Sequence, residues 1–411
     1  MTMKYPRFIQ PRLKEALADT PVVLLNGSRQ TGKTTLAQST GGNKYHYVTL
    51  DDDTSLAAAK RDPRGFIEDL PQYCILDEIQ HAPELFPSIK LIVDRDRTPG
   101  RFLLTGSANI LAVPKLAESL AGRMEVIHLY PLSQAEIAGK KPLFLTMAFA
   151  AKMKGNFKQR LGSELFDRVL SGGYPEPLQR DSVTRQRAWY SSYLNVMIQK
   201  DITDFAKIQH SENISKILQR VANNTASLLN ISELNKGLGV DLKTAKHYFD
   251  LLSHIFLVCT LPAWSNNRNK RLLKTAKMHI TDTGLLGALL KLTKPQLEKD
   301  RTMMGPVLES FVYNELIKQA SWQNEELQFF HYRDKDQYEV DIVILNENGL
   351  LVGVEIKLAA SVSESDFKGL KRFKTQHPEK FVGGYILYDG ERTLSFGDGL
   401  YAVPLQSLWL N

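Results

Sequence analysis

The sequence predicts an α/β fold with a parallel sheet near the N-terminus, helical segments in the middle and a second α/β region at the C-terminus. Three observations support this fold class. The apolar run at 22–25 leads directly into a glycine-bounded loop that opens a helix. A second apolar run, at 74–76, ends in two adjacent carboxylates. Near the C-terminus, two alternating stretches flank 346–349, whose sequence Asn-Glu-Asn-Gly is typical of a hairpin turn.

The loop at 27–34 has the sequence Gly-Ser-Arg-Gln-Thr-Gly-Lys-Thr, which matches the pattern of a phosphate-binding loop. In such a loop, backbone N–H groups at the start of a helix converge on an anion. Lys33 is expected to reach the β- and γ-phosphates, and the Thr34 hydroxyl is expected to ligate Mg²⁺. The sequence therefore predicts a site for ATP with Mg²⁺. Its expected binding residues are Gly27, Ser28, Arg29, Gln30, Thr31, Gly32, Lys33, Thr34, Thr35 and Asp77.

The second apolar run places Asp77 and Glu78 at the end of a strand that is expected to be buried on both faces. Asp77 would hold Mg²⁺ through water, and Glu78 would polarise the attacking water as general base. A solvated strand end is the structural alternative. A third predicted strand, at 101–104, ends at the same edge, so that Thr105 or Ser107 could sense the γ-phosphate or position the water. The sequence does not choose between these two hydroxyls.

Residues 118–123, Glu-Ser-Leu-Ala-Gly-Arg, precede another apolar stretch at 126–129. A guanidinium at Arg123 could neutralise charge in the transition state, either as an arginine finger or as a γ-phosphate sensor. A solvated arginine at a helix end explains the same sequence equally well.

Composition restricts the class of protein. The chain has 411 residues, 43% of them hydrophobic and 24% charged, which is ordinary for soluble globular proteins of several domains. Apolar runs stay well short of the roughly 18 residues of a membrane span, and the N-terminus lacks the apolar core of a signal peptide. The two cysteines, Cys74 and Cys259, lie in apolar strings and support neither a disulfide framework nor a zinc site. A cytoplasmic protein without a membrane partner is therefore expected.

A basic segment follows a predicted helix-turn-helix. The net charge of +7 and the pI near 9.1 favour contact with a polyanion. A short helix over 231–238, a turn at 239–240 and an N-cap at Asp241 predict the motif, and a hairpin after it would complete a winged helix. No carboxylate occurs between Asp250 and Asp282, where the basic segment extends to Lys277. The predicted nucleic-acid contacts are Lys243, Lys246, Arg268, Lys270, Arg271 and Lys274. A solvated loop or a protein-binding winged helix is the alternative.

The C-terminal hairpin brings charged residues to one face. A turn centred on Asn348 sets Asp341 opposite Glu355 and Glu339 opposite Lys357. Two facing carboxylates repel each other unless a cation lies between them. An acid followed by Glu-x-Lys is the spacing of restriction-endonuclease-like nucleases, in which Asp341 and Glu355 would ligate Mg²⁺ and Lys357 would activate water. Glu309, on a helix predicted over 307–319, could add a ligand. A salt-bridged hairpin, with Lys357 neutralising both acids, and a nuclease fold without activity are the alternatives.

The chain resembles prokaryotic AAA+ ATPases that carry a C-terminal domain of unknown function. The resemblance rests on 27–34, 76–78, 103–107, 119–123 and on Gly-Gly-Tyr-Pro at 172–175. Glu309, 339–341 and 355–357 match the C-terminal domain, which is similar to PD-(D/E)xK restriction-endonuclease-like folds. The resemblance implies a P-loop AAA+ core over 1–140, a helical lid over 141–210, a winged helix over 211–300 and a nuclease-like domain over 301–411.

Together these features predict an ATP-hydrolysing protein that acts on nucleic acid, with DNA as the expected form and Mg²⁺-dependent cleavage at the C-terminal domain. The alternative is a nucleotide-switched module whose nuclease-like domain only binds DNA or a protein. The sequence leaves open whether the core is a monomer or a homo-oligomer such as a dimer or ring.

Overall fold

A computed structural model describes residues 5–107, 120–201 and 211–410. The chain divides into two compact units, one formed by Met1–Leu132 with His254–Phe256 and the other by Ser133–Ser253 with Leu257–Asn411. The predicted boundaries near 140, 210 and 300 stay predictions. In the described ranges, no helix combines the length and the apolar composition needed to cross a bilayer.

The N-terminal unit is built on a five-stranded parallel sheet in the order β2-β3-β4-β1-β5. Its strands are β1 (Val22–Asn26), β2 (His46–Thr49), β3 (Cys74–Asp77), β4 (Phe102–Gly106) and β5 (Met124–His128). Its helices are α1 (Gln10–Asp19), α2 (Lys33–Gly41), α3 (Asp53–Arg61), α4 (Pro63–Glu68) and α5 (Leu85–Arg95), with 3-10 turns at Gly42–Lys44 and Ile79–His81. The predicted α/β class is confirmed.

The order of the strands determines which side chains meet. β1, β3 and β4 are buried along their whole length, as continuous apolar runs predict for central strands. Leu24, Leu76 and Leu104 from these strands share a core with Phe86 and Ile89 of α5. Because β4 lies between β1 and β3 and all strands are parallel, the loop after β1, the acids after β3 and the hydroxyls after β4 reach the same edge of the sheet.

The first part of the C-terminal unit is mainly helical. It contains α6 (Gln134–Ala138), α7 (Phe144–Phe149), α8 (Glu164–Ser171), α9 (Val183–Val196), a π-helical turn at Met197–Asp201, and a 3-10 turn at Pro177–Gln179. The Gly-Gly-Tyr-Pro segment at 172–175 is a fixed turn in this part. The N–H of Gly173 donates to Asp282 Oδ2 at 2.7 Å, and a Cβ on Gly172 would lie 2.3 Å from Asp282 Oδ1. Glycine is therefore required there for close approach.

A small antiparallel sheet in the order β6-β8-β7 follows, surrounded by helices. Asp241 caps α12 as predicted, because its Oδ1 accepts the N–H of Thr244 at 2.9 Å. A short helix, α13, lies between β7 and β8 where a simple hairpin loop was expected. The elements are α10 (Ser211–Asn223), β6 (Ser227–Leu228), α11 (Ile231–Asn235), α12 (Leu242–His254), β7 (Val258–Leu261), α13 (Arg268–Leu273), β8 (Lys277–Ile280), α14 (Thr283–Leu289) and α15 (Lys294–Lys299).

The last part contains a mixed sheet in the order β13-β14-β12-β11-β10-β9. β10 and β11 form the predicted antiparallel hairpin, and the pairing of Ile342 with Val354 and of Val343 with Gly353 confirms its predicted register. β12 runs parallel to both β11 and β14. The elements are α16 (Met304–Ser321), β9 (Gln328–Arg333), β10 (Glu339–Leu345), β11 (Leu351–Lys357), α17 (Lys368–Gln376), β12 (Phe381–Tyr388), β13 (Leu394–Ser395) and β14 (Leu400–Pro404), with 3-10 turns at Arg301–Met303, Glu364–Phe367 and Leu405–Leu408.

Candidate active site and carboxylate cluster

The glycine-bounded loop joins β1 to α2 at the carboxyl edge of the parallel sheet. Gly27 is required by close packing, since a Cβ there would lie 2.2 Å from the carbonyl oxygen of Leu129. The Lys33 ammonium donates to the carbonyl oxygens of Gly27 at 3.0 Å and of Ser28 at 2.9 Å. Lys33 is thus held over the loop, and the N-terminus of the nine-residue α2 opens toward it.

Asp77, at the end of β3, is a buried carboxylate surrounded by hydroxyl donors. The Thr34 hydroxyl donates to its two oxygens at 2.9 and 3.0 Å, the Thr105 hydroxyl at 2.5 Å and the Tyr47 hydroxyl at 2.9 Å. A hydroxyl and a carboxylate side by side form the oxygen donor set that Mg²⁺ prefers, completed by phosphate oxygens and water. Thr34 and Asp77 therefore fit a Mg²⁺ ion that accompanies a nucleoside triphosphate.

Glu78 stands next to Asp77 in a left-handed backbone conformation, with φ 57° and ψ 47°. Such a conformation costs a residue with a side chain about 1 kcal/mol or more and is concentrated at functional sites. Its N–H donates to Thr105 Oγ1 at 3.1 Å, and the Gln80 amide donates to the Glu78 carboxylate and, at 2.9 Å, to Ser107 Oγ. Burial would raise the pKa of Glu78, but the charge of Lys33 and the hydrogen bonds of Gln80 and Ser107 outweigh it and lower the pKa. Glu78 is therefore ionised at neutral pH.

Both hydroxyls at the end of β4 take part, in different ways. Thr105 contacts Asp77 and the backbone of Glu78, whereas Ser107 acts on the Glu78 side chain and accepts a hydrogen bond from Gln80. The structure thus places Thr105 and Ser107 beside the two acids. Which of these hydroxyls senses the γ-phosphate stays a prediction.

Several contacts to this site were not predicted from the sequence. Arg7 donates to the carbonyl oxygen of Thr31 at 3.2 Å and to that of Tyr130 at 2.6 Å. His128 ends β5 opposite Asn26, and burial together with the charge of Lys33 lowers its pKa to about 4. Burial raises the pKa of Tyr47 to about 12, assisted by its hydrogen bond to Asp77. These residues come from separate segments, so no local motif could have identified them.

The acids of the C-terminal hairpin surround a lysine from another strand. Lys277, on β8, places its ammonium nitrogen 2.6 Å from Glu309 Oε1 and 3.9 Å from Asp341 Oδ1. Asp341 Oδ2 also accepts the N–H of Ile356 at 2.9 Å. Glu355 lies beside Asp341 and is buried. We call Glu309, Asp341 and Glu355, together with Lys277, the carboxylate cluster.

Burial, assisted by repulsion from Asp341, favours the protonated forms of Glu309 and Glu355. Burial raises the pKa of Glu309 to about 8, with a further contribution from Asp341 and an opposing one from Lys277. Burial and then Asp341 also raise the pKa of Glu355 well above its usual value. For Lys277, burial opposes the charged form, but the charges of Glu309 and Asp341 outweigh it and raise its pKa.

The cluster differs from the predicted Mg²⁺ group. Within residues 5–107, 120–201 and 211–410, no group of three or more His, Cys, Asp or Glu side chains could hold a metal ion. The Lys277 ammonium is the neighbouring cation of Glu309 and Asp341, and a metal site at Glu309, Asp341 and Glu355 stays a prediction. The Lys357 ammonium lies 3.9 Å from Asp366 Oδ1 and its side chain is 40% exposed, and its charge also acts on Glu355, where it opposes the rise in pKa.

The predicted nucleic-acid contacts fall into two groups. Lys243, Arg268 and Lys274 are exposed. Lys246 is exposed but paired with Asp250 at 2.8 Å, and Arg271 packs on the ring of Trp264, 3.9 Å from its centroid. The side chain of Lys270 lies outside the described residues. Lys277, at the end of the predicted basic segment, is buried in the carboxylate cluster and does not face solvent.

Comparison with known families divides the chain into three regions. Residues 19–138 match a family described as AAA domain. We call residues 19–138 the AAA domain after this match. Residues 162–296 and 304–408 match two families described as domain of unknown function, DUF8612 and DUF4143. The AAA domain supports ATP binding and hydrolysis for this part of the chain, whereas the two other families assign no activity.

Relatives span most of the chain. A Mycobacterium tuberculosis protein, "Uncharacterized protein Rv2008c", is 29% identical over 401 residues, which cover 97% of this chain and 83% of that protein. "Uncharacterized protein MJ1544" of Methanocaldococcus jannaschii is 23% identical over 301 residues, which cover 72% of this chain and 64% of that protein. Among solved structures, the Walker-type ATPase PABY2304 of Pyrococcus abyssi is 15% identical, with a TM-score of 0.41, and covers 68% of this chain and 94% of that chain.

Arg123 lies away from the phosphate loop of its own AAA domain. Its carbonyl oxygen accepts the N–H of Val22 at the start of β1, and its guanidinium pairs with Asp94. Because β1 and β5 are parallel, a residue that precedes β5 lies at the opposite edge of the sheet from the loop that follows β1. The prediction of a γ-phosphate sensor within the same chain is therefore wrong, and an arginine finger would have to serve a second copy. Glu118 and Ser119 of this motif lie outside the described residues.

Proposed function

We propose that this chain binds and hydrolyses ATP with Mg²⁺ and uses its nucleotide state to control binding to nucleic acid, with DNA as the expected form. The observation that supports hydrolysis is the meeting of Lys33, Thr34, Asp77 and Glu78 at one edge of the AAA sheet. The nucleic-acid part rests on the net charge of +7 and on the exposed cations of the C-terminal unit.

The chemistry follows from the residues around the loop. Backbone N–H groups of the loop and the Lys33 ammonium would hold the phosphates, and Thr34 and Asp77 would hold Mg²⁺. When bound, Mg²⁺ supplies positive charge to the β- and γ-phosphate oxygens. Glu78 orients the attacking water and takes its proton, while Thr105 fixes the Asp77 carboxylate and the Glu78 backbone.

A winged helix is the proposed nucleic-acid contact. The element order α10, β6, α11, α12, β7, α13, β8 and the sheet order β6-β8-β7 support it, with α13 in place of a simple hairpin loop. Lys243 stands near the N-terminus of α12, the helix that would enter a groove. Arg268 and Lys274, at the segment between β7 and β8, would contact the phosphate backbone.

For the C-terminal domain we favour binding over cleavage. The β10–β11 hairpin between α16 and α17 is compatible with a restriction-endonuclease-like fold. However, the Lys277 ammonium lies 2.6 Å from Glu309 and 3.9 Å from Asp341, two of the acids that the predicted mechanism uses as metal ligands. A nuclease-like domain that contributes contacts, with ATP as the switch, accounts for this arrangement.

An ATPase assay combined with DNA binding tests the proposal on the full chain. We expect duplex DNA to change ATP turnover, and ATP to change the dissociation constant for DNA about fivefold or more, as in other coupled sites. Lys243→Ala should weaken DNA binding several-fold and reduce the salt dependence by about one phosphate contact. Lys246→Ala is the matched variant with a smaller expected effect, because Asp250 already neutralises Lys246. Equal DNA affinity with and without ATP would argue against the switch.

A further inference from the structure

A cleft of about 620 Å³ lies in the C-terminal unit between the segment after β7 and the outer strand β9. Its lining includes Trp264, Lys274, Tyr332, Arg333, Lys335 and Gln337. This volume is within the range of ligand pockets for small molecules. It is large enough for a nucleotide and too small for a double helix.

The cleft is preformed by hydrogen bonds between its walls. The N–H of Trp264 donates to the carbonyl oxygen of His331 at 2.6 Å, and the N–H of His331 donates to that of Pro262 at 2.9 Å. His331 Nε2 lies 3.0 Å from the carbonyl oxygen of Thr275. The rings of Trp264 and Tyr332, with 3% and 5% exposure, are fixed in the wall. A ligand therefore meets a rigid surface and does not have to order it.

Charge in the cleft favours an anion. Its charged residues are Lys274, Arg333, Asp334 and Lys335. Asp334 is paired with Arg372 at 3.0 Å, and Arg333 with Glu339 at 2.9 Å. Lys274 donates only to the uncharged carbonyl oxygen of Trp264, at 3.3 Å, and Lys335 is exposed. Two positive charges are thus left for a ligand.

Amide side chains beside these cations suit the edge of a base. Gln376 uses its oxygen to accept the Tyr332 hydroxyl at 2.8 Å, and Gln337 uses its oxygen to accept from Arg333 at 3.0 Å. Their NH₂ groups remain as donors, and the Asn266 amide offers both a donor and an acceptor. A base needs such donors and acceptors, whereas inorganic phosphate needs only the cations.

From this combination we infer that the cleft binds an unpaired nucleotide of a single-stranded nucleic acid. The phosphate lies against Lys274 and Lys335, and the base lies at the amides of Asn266 and Gln376, above the edges of Trp264 and Tyr332 that reach the cleft. The inference rests on the proposed function, since it names the form of nucleic acid that the C-terminal unit holds. The Arg333–Glu339 pair places the cleft beside the carboxylate cluster, because Glu339 also acts on Glu309 and Lys277.

Fluorescence anisotropy with labelled 12-nucleotide oligomers tests the inference. The protein is the full chain with Lys33→Ala, so that the phosphate loop does not bind the nucleotide probes. The probes are oligothymidylate, oligouridylate and a duplex of equal length. We expect both single strands to bind, and the double variant Lys274→Glu/Lys335→Glu to weaken their binding about tenfold or more. Lys299→Glu, an exposed lysine on α15, is the matched charge control and should change binding less than twofold.

The outcomes distinguish a failure of the cleft assignment from a failure of the proposed function. Equal single-strand affinities in the cleft variant and the Lys299→Glu control would overturn the cleft assignment, as would duplex binding without single-strand binding. Binding of thymidine monophosphate with an affinity equal to that of the oligomer would also overturn it, in favour of a free nucleotide as ligand. If none of the nucleic acids binds, either to this chain or to the wild-type chain with ATP, the proposed function itself fails. A single-strand preference for DNA or RNA supports the inference and identifies the natural form.

Discussion

Two groups of acids in this molecule, one at the end of β3 and one shared by α16, β10 and β11, have different neighbours, and the pKa of Glu78 is lowered whereas the pKa values of Glu309 and Glu355 are raised. In the AAA domain, Asp77 is surrounded by the uncharged hydroxyls of Thr34, Thr105 and Tyr47, and the neighbouring Glu78 has a lowered pKa. These donors orient the carboxylates without cancelling their charge. The negative charge therefore remains available for a cation and for proton transfer.

In the carboxylate cluster a cation of the chain itself is present. Lys277 pairs with Glu309 and lies near Asp341, and burial raises the pKa values of Glu309 and Glu355. The acids are neutralised by an ammonium group and by protons. The comparison teaches that acids on strands do not define a metal site by themselves, because a side chain from another strand decides what neutralises them.

The largest effect is expected from removing the cation of the nucleotide site. Lys33→Ala eliminates the ammonium that faces the phosphates, so ATP turnover should fall by about three orders of magnitude. Nucleotide binding and phosphate release measure this loss. Lys60→Ala, an exposed lysine on α3, is the control and should behave as wild type. ATP turnover that persists in Lys33→Ala would show that hydrolysis does not take place at this loop.

Glu78→Gln separates binding from hydrolysis at the same site. The amide keeps the shape but cannot take a proton, so turnover should fall about 100-fold while ATP affinity stays within a few-fold. Single-turnover hydrolysis and equilibrium binding distinguish the two. Glu15→Gln, on the exposed face of α1, serves as control. Unchanged turnover in Glu78→Gln would remove Glu78 as general base.

Removing the lysine of the carboxylate cluster is expected to lower the stability of the C-terminal unit. Lys277 and Glu309 have side chains that are 11% and 14% exposed, so Lys277→Met leaves a nearly buried acid without its partner and should cost about 3 kcal/mol. The double variant Lys277→Met/Glu309→Gln should recover most of this loss. The four tryptophans, Trp189, Trp264, Trp322 and Trp409, all lie in the C-terminal unit, so their fluorescence during urea unfolding follows that unit. A double variant as unstable as the single one would contradict the pairing.

The smallest effect, taken per pH unit, is a pH dependence of stability to which Glu309 contributes. With a pKa of about 8 in the folded state against an ordinary value of 4.5, Glu309 keeps its proton where the unfolded chain has lost it. The folded state then binds more protons, so stability falls as the pH rises from about 4.5 through about 8, by up to about 1 kcal/mol per pH unit. Glu309→Gln should flatten this dependence in the same tryptophan-detected unfolding. A wild-type stability that rises over this range relative to Glu309→Gln would refute the assignment.

Local patterns predicted the loop, the acids after β3 and the register of the hairpin, because each depends on residues close together in the sequence. Lys277 was not predicted as part of the cluster. Because side chains alternate along β8, Lys277 and His279 lie on the same side of the strand, where they contact Glu309 and Ser310 of α16. The basic segment alone does not indicate that Lys277 points into the protein. Arg123 was assigned to the wrong edge because a residue before a parallel strand lies opposite the residues after it. Tyr47 and Arg7 reach the nucleotide site through tertiary contacts only.

A titration with Mn²⁺, a spectroscopic substitute for Mg²⁺, tests the central contrast most directly. Free Mn²⁺ is measured by electron paramagnetic resonance with wild type, Asp77→Asn and Asp341→Asn. Asp77→Asn should reduce the bound Mn²⁺, and Asp341→Asn should leave the wild-type curve unchanged, because Lys277 already neutralises its side of the cluster. Loss of a bound Mn²⁺ ion in Asp341→Asn would contradict this account and restore a metal centre at the hairpin.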